Sequence, residues 1–342
     1  YGWKYGQFAR DFFIAAECAE QNKLPVNRPE FDLKVHSGYQ MDAVKFAAWL
    51  RDDYCKPRGV KHKIERVDPD NLPEADLYFD CTGFACLLDK SEWLDYSDFL
   101  PNNHAWVTRI GYQDKENQLK PTTDCTALDN GWVWNVPLQT RIGTGYVYSS
   151  RHTIEDDARM EFKKHLNEMY GYNKEELSFR KLDFGVGIRR ESWKNNVIAI
   201  GLSIFFLEPI ESTAISTMHH QISTVYNMLM HDYILPKDKI KRFNEINNLA
   251  VDAIASYIEL HYTMTKRTDS QFWKDVANIK LTEEQKNTLD LYVNPDKRFD
   301  RSTLKATTNG HSMFDQSSYL FLYLGYDLLP NNVYSMDDHE NL

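Results

Sequence analysis

The 342 residues are 42% hydrophobic and 26% charged, the balance of a globular protein, and are enough to bury a sizeable core and to suggest two domains. A net charge of −10 argues against a nucleic-acid or anionic-membrane surface as the main partner. The longest apolar run, 197–207, is too short to span a bilayer, no signal-peptide pattern opens the chain, and five cysteines without a C-x-x-C pair read as reduced thiols of a cytoplasmic protein.

The chain opens on Tyr1 rather than methionine, which reads as a start inside a longer protein. An early helix is predicted near 9–22. A clearer one follows over 41–54, where Val44, Ala47, Ala48, Trp49 and Leu50 make an apolar stripe behind Asp42 at the start. The stretch 59–67 reads as a strand, 69–73 as a turn, and 76–81 (DLYFDC) as a buried strand running into Thr82-Gly83. Helix, strand, turn and strand in that order suggest an α/β layer. From 106 to 150, alternating aromatics between Gly, Asn and Asp turns predict an antiparallel sheet. An amphipathic helix is expected over 156–170 and a strand over 196–200. Helices are expected over 216–235, 240–265, 282–292 and 317–329.

The stretch 197–215, VIAIGLSIFFLEPIESTAI, joins these parts. An apolar β-type run turns at Gly201 and reaches Glu208-Pro209-Ile210-Glu211-Ser212-Thr213-Ala214. Ile215, Met218, Ile222, Val225 and Leu229 then recur at helical spacing. Glu211, Ser212 and Thr213 are thus expected at a helix N-terminus, where free N–H groups and the dipole attract negative charge. The plain alternative is a cap on a buried helix. No G-x-G-x-x-G loop is present. Gly143-Thr144-Gly145 and Gly185-Val186-Gly187 lack the third glycine and a following helix. Trp132 and Trp134 point to one face of a strand, and core packing would explain them equally well. The eleven histidines show no ligand spacing, and no G-x-S-x-G marks a serine hydrolase.

Glu208–Ile215 (EPIESTAI) resembles the EPLESTGI segment of flavin-dependent halogenases of the tryptophan halogenase type. Trp132-Val133-Trp134-Asn135-Val136-Pro137 is similar to that family's W-x-W-x-I-P motif. Asp80-Cys81-Thr82-Gly83-Phe84, the run from Thr144 to Ser150, and Arg267-Thr268-Asp269 with Phe272-Trp273 follow in the family's order. The similarity runs from about Gly38 to Pro330.

The resemblance implies an α/β fold of α+β layers. A flavin monooxygenase-like FAD-binding core would occupy 1–220 and a mostly helical substrate-pocket region 221–342. It implies FAD, used as FADH2, in contact with Val67, Leu202 and Ile215, and a halide (chloride, bromide or iodide) held by the N–H groups of Thr213 and Ala214. Ala214 stands where the family usually has Gly, which adds a methyl beside the halide and disfavours positive φ. Glu211 matches the family's catalytic carboxylate. Trp132 and Trp134 match a wall that separates flavin from substrate and passes only a small oxidant. The substrate pocket maps onto Asn309, Met313, Phe314 and Ser318. Asn309 stands where tryptophan-specific members carry a carboxylate and Phe314 where they carry Trp, which points to an aromatic substrate other than free tryptophan.

The family's glycine-rich loop and catalytic lysine are expected upstream of Tyr1. The implied activity is halogenation of an indole- or phenol-like substrate through hypohalous acid, with a separate flavin reductase supplying FADH2 and a homo-oligomer left open. A related flavin-dependent aromatic hydroxylase and a non-catalytic flavin-binding relative are the alternatives.

Overall fold

A computed structural model describes residues 14–24, 38–88, 91–172, 177–230, 236–308 and 313–330. Helices α1 (Ile14–Glu20) and α2 (Ala43–Trp49) open the described chain, and α2 continues into a π-helical turn, Leu50–Cys55. Asp42 caps α2, accepting from the backbone N–H of Val44 and Lys45, as its place in the sequence predicts. The expected strand over 59–67 is not formed. The segment is irregular and exposed throughout, so its alternating pattern has neither a partner strand nor a core to face.

Two small sheets carry the α/β layer. In the first, β1 (Tyr78–Asp80) pairs in parallel with β10 (Val197–Ala199), which pairs antiparallel with β9 (Trp193–Lys194). In the second, β8 (Gly187–Arg189) lies between β2 (Trp93–Asp95) and β11 (Phe205–Phe206).

The expected antiparallel sheet has five strands in the order β4 (Asp124–Leu128), β5 (Gly131–Pro137), β6 (Ile142–Tyr148), β3 (His104–Ile110) and β7 (Arg180–Asp183). Period-two alternation divides its faces. Val133, Ile142, Tyr146 and Tyr148 turn towards a core completed by Ala158, Phe162 and Leu166 of a helix over Glu155–Tyr170. Trp132 and Trp134 turn the other way.

That second face meets the later helices. After a single turn, α3 (Lys115–Gln118), and the Glu155–Tyr170 helix, α4, come α5 (Ala214–Met230) and the long α6 (Pro236–Thr263). Then follow α7 (Gln271–Ala277), α8 (Glu283–Val293), α9 (Arg301–Thr307) and α10 (Gln316–Gly325). Val251, Ile254 and Ile258 of α6 and Phe272 and Trp273 of α7 share one core with Trp132 and Val147. One hydrophobic core therefore draws on residues from both sides of position 220. No described helix is long and apolar enough to cross a membrane.

Register places Trp134 opposite Gly145, and the indole lies on the glycine's backbone. A Cβ at 145 would come within 2.1 Å of the Trp134 ring. Gly145→Ala is therefore expected to tilt that indole and to destabilise the protein by about 1–3 kcal/mol, as overpacking does. Chemical denaturation measures the loss, which should shrink in a Trp134→Ala background. An unchanged midpoint would show that the indole moves aside freely.

Candidate active site

The site begins where β1 and β10 end, since the crevice outside the carboxyl ends of parallel strands is where open α/β sheets bind ligands. After β1, the Asp80 carboxylate accepts from Thr82 N–H at 2.9 Å, Thr82 Oγ1 at 2.6 Å, Leu88 N–H at 2.8 Å and Ser203 Oγ at 3.2 Å. Burial works to raise this carboxyl, but those donors hold it below its ordinary value. After β10 the chain turns at Gly201, φ 63°, whose N–H donates to Gln221 Oε1 of α5 at 3.0 Å. Gly83 N–H donates to Ser203 Oγ at 3.0 Å, so the two strand-end turns are joined. Phe84, Leu202 and Ile215 are exposed apolar side chains around these turns and the start of α5. Exposed apolar side chains beside strand-end turns are compatible with the flavin that the sequence implies. Val67 is also exposed, on the irregular segment that precedes β1.

Glu211 stands on a single 3₁₀ turn, Ile210–Ser212, between β11 and α5. Its backbone is left-handed, φ 67°, and so is that of Ser212, φ 52°. Two successive non-glycine residues in this region cost about 1–2 kcal/mol each. Strain of this kind concentrates at functional sites. Thr213 returns to right-handed geometry and α5 starts at Ala214. The Thr213 N–H follows the 3₁₀ turn and lies one residue before α5. The Ala214 N–H belongs to the first helical turn, which has no intrahelical acceptor. Both groups lie at the positive end of a helix of 17 residues.

Two cavities of about 500 and about 510 Å³ flank this turn. His261 of α6 lines both, and its Nε2 lies 2.9 Å from Glu211 Oε1. Its Nδ1 lies 3.3 Å from the Tyr257 carbonyl oxygen one turn back, and Tyr326 OH donates to the His261 carbonyl. Both partners of the ring are acceptors, so it donates to both only when doubly protonated. The cavity of about 510 Å³ is lined by Glu211, Tyr257, Ser318, Phe321 and Leu322. The other is lined by Trp132, Ile210, Tyr262, Lys266 and Arg267. Cys125 also faces it, but burial and the nearby Glu211 and Asp124 push the thiol up to about 11, so it is not a reactive thiolate.

Trp132 and Trp134 lie side by side, ring centroids 6.0 Å apart and planes 54° apart. The Trp132 indole N–H donates to Glu208 Oε2 at 3.0 Å. Asn102 Nδ2 donates to the same oxygen at 2.9 Å, as does Tyr262 OH. Glu208 is 1% exposed, and burial raises its pKa against the pull of these donors.

The structure thus brings Glu211, Thr213, Ala214 and Ile215 into one turn and helix start, and puts Ser318 in Glu211's cavity. Phe314 stacks on Tyr257 with ring centroids 3.7 Å apart, within the helical core. The Met313 sulfur lies 3.7 Å from the Thr217 hydroxyl. Asn309 lies outside the described residues. His261, Tyr262 and Glu208 escaped the sequence reading. The available signal was Glu208 itself, a carboxylate closing an apolar run three residues before Glu211.

A second polar chain does not make a hydrolase. Ser149 Oγ lies 2.8 Å from His152 Nδ1, and His152 Nε2 lies 3.0 Å from Asp275 Oδ2, but Ser149 is completely buried. Among the described residues no three acidic, His or Cys side chains gather to hold a metal ion.

The fold that carries these groups is that of solved flavin-dependent halogenases. The chain aligns with the crystal structure of tryptophan 6-halogenase SttH from Streptomyces toxytricini with a TM-score of 0.80 and 25% identity, over 93% of this chain and 68% of that one. It aligns with BrvH, a flavin-dependent halogenase from Brevundimonas sp. BAL3, with a TM-score of 0.77 and 27% identity, over 93% of this chain and 66% of that one. In sequence it is 32% identical over 276 residues to tryptophan 7-halogenase RebH from Lentzea aerocolonigenes, which takes in 74% of this chain and 51% of RebH. The family model described as tryptophan halogenase matches residues 4–341, and the chain belongs to that family. It spans about half the length of RebH.

The strained turn gives a test of its own. Ser212→Gly is expected to hold or raise the thermal midpoint, because glycine adopts positive φ without penalty. Ser212→Val should lower stability by about 1–2 kcal/mol or more, since a β-branched residue tolerates that region worst. Equal midpoints for the two variants would show that the turn relaxes.

Proposed function

We propose that this protein acts as a flavin-dependent halogenase on an electron-rich aromatic ring of indole or phenol type. The observation that carries the reading is the Glu211 carboxylate, held at the mouth of a cavity of about 510 Å³ and followed within three residues by two N–H groups at a helix start. When bound, reduced FAD with O2 and halide supplies an electrophilic halogen oxidant, and a separate flavin reductase supplies the reduced cofactor.

Thr213 and Ala214 would hold the halide by their N–H groups at the positive end of α5. Phe84, Leu202 and Ile215 would line the flavin side, with Val67 before them. Trp132 and Trp134 would form the wall that keeps the aromatic substrate away from the flavin. That wall disfavours a hydroxylase, which needs an open path from flavin to ring. Tyr257, Phe321 and Leu322 give the substrate an apolar, aromatic setting. Glu211 would accept the proton that leaves the ring carbon when the carbon–halogen bond is made. His261 fixes the orientation of Glu211 and donates to its Oε1.

Among the described residues, Glu211 is the one carboxylate lining that cavity. Those residues offer a free amino acid no second carboxylate for its ammonium group. The lost charge-assisted hydrogen bond is worth about 1.5–3 kcal/mol, so simple indoles, phenols or anilines are expected to be better substrates than free tryptophan. A substrate panel run with a generic flavin reductase measures this. A kcat/KM for tryptophan more than about tenfold above the others, equivalent to about 1.4 kcal/mol, would place another amine-binding group in the cavity.

Glu211→Gln is expected to keep FAD affinity and reduced-flavin oxidation while losing halogenated product by about 10²-fold or more. Product formed at the unaltered rate would remove Glu211 from the reaction.

A further inference from the structure

Glu208 is buried with its hydrogen bonds gathered on one oxygen. One oxygen, Oε2, accepts from three donors drawn from three parts of the chain. They are the Trp132 indole on β5, the Asn102 amide before β3, and Tyr262 OH near the end of α6. The donors stand 76, 106 and 54 residues away in sequence. Asn102 Nδ2 also donates to the Tyr262 oxygen at 2.9 Å, closing the group on itself. The second carboxylate oxygen, Oε1, and Asn102 Oδ1 are both buried without a protein partner.

The neighbours of these residues are the parts of the proposed site. Tyr262 follows His261, the partner of Glu211. Glu208 precedes Glu211 by three residues on the same strained segment. Trp132 is half of the indole pair. A lone packed indole can rotate about its side-chain torsions. An indole whose N–H is bound to a buried carboxylate cannot turn without leaving that group unpaired.

We propose that Glu208 is a positioning residue that fixes the plane of the Trp132 indole and ties it to α6 and the Glu211 turn, so that the oxidant wall and the proton acceptor keep one geometry. The proposal extends the halogenase reading to a residue that touches neither substrate nor cofactor. In that reading, a wall indole free to turn would let oxidant escape from the path to the substrate.

Two variants and two readouts test it. Glu208→Met keeps side-chain length and removes every acceptor, whereas Glu208→Gln keeps an oxygen for the three donors. The first readout is independent of activity: the indole ¹H–¹⁵N resonances of the eight tryptophans, with that of Trp132 assigned by its loss in Trp132→Phe. In the unaltered protein the Trp132 N–H should lie downfield and exchange more slowly than the indoles open to solvent. In Glu208→Met it should move upfield and exchange faster, and in Glu208→Gln it should stay close to its original position.

The second readout is halogenated product formed per O2 consumed, with free hypohalous acid trapped by a cyclic diketone. Glu208→Met should lower that ratio by roughly tenfold or more, as misplaced groups do, and Glu208→Gln should restore most of it. An unchanged Trp132 resonance in a folded Glu208→Met variant overturns the proposal, as does an unchanged product ratio. If Glu208→Met does not fold, a solvent-like exchange rate for the Trp132 N–H in the unaltered protein overturns it instead. Failure of the halogenase reading would appear separately, as absence of halogenated product from the unaltered protein while the resonance readout still answers.

Discussion

A carboxylate taken out of water loses several kcal/mol of solvation, and Glu208 regains it only through donors held in place around one oxygen. Each hydrogen bond to a charged group returns about 1.5–3 kcal/mol, so the three together offset part of the loss, and burial still holds the carboxyl above its ordinary pKa. The fold must therefore deliver Asn102, Trp132 and Tyr262 together. That requirement fixes the antiparallel sheet, the long helix α6 and the 208–213 turn relative to one another. The hydrophobic core holding Trp132, Val147, Val251 and Phe272 supplies the attraction between these parts, and the polar group selects one arrangement from those the core would allow.

The same turn carries the opposite kind of energy. Glu211 and Ser212 sit in left-handed geometry at a cost the rest of the chain must cover. What the strain achieves is direction. The Glu211 carboxylate is turned towards His261 and the cavity instead of continuing along the strand, and α5 starts three residues after it.

Patterns local in sequence were legible. The long helices, the antiparallel sheet, the turn at Gly201 and the shared face of Trp132 and Trp134 all follow from periodicity and from the residues that break it. The strand expected over 59–67 failed because alternation shows what a strand could do but not whether an edge is there to receive it. Glu208 and His261 were hidden for another reason. A glutamate beside proline reads as a surface turn, and a single histidine on a helix has no signature. Their roles depend on partners 50 to 106 residues away, which pattern alone does not supply. Phe314, placed in the pocket by resemblance, lies against Tyr257, because a flat neighbour was available inside the helical core.

The cavity of about 510 Å³ takes Ser318, Phe321, Leu322 and Gly325 of its lining from α10, and that helix contributes none of the three donors around Glu208. Phe321 in particular faces the opening from a position where it is not tightly enclosed. The cavity and the group around Glu208 share α6 and the 208–213 turn, whereas α10 belongs to the cavity alone. A lineage, or an engineer, can resculpt the first by changing side chains on one terminal helix without loosening the second. Under the proposed halogenase reading, changes on α10 are the single steps that would alter ring preference first.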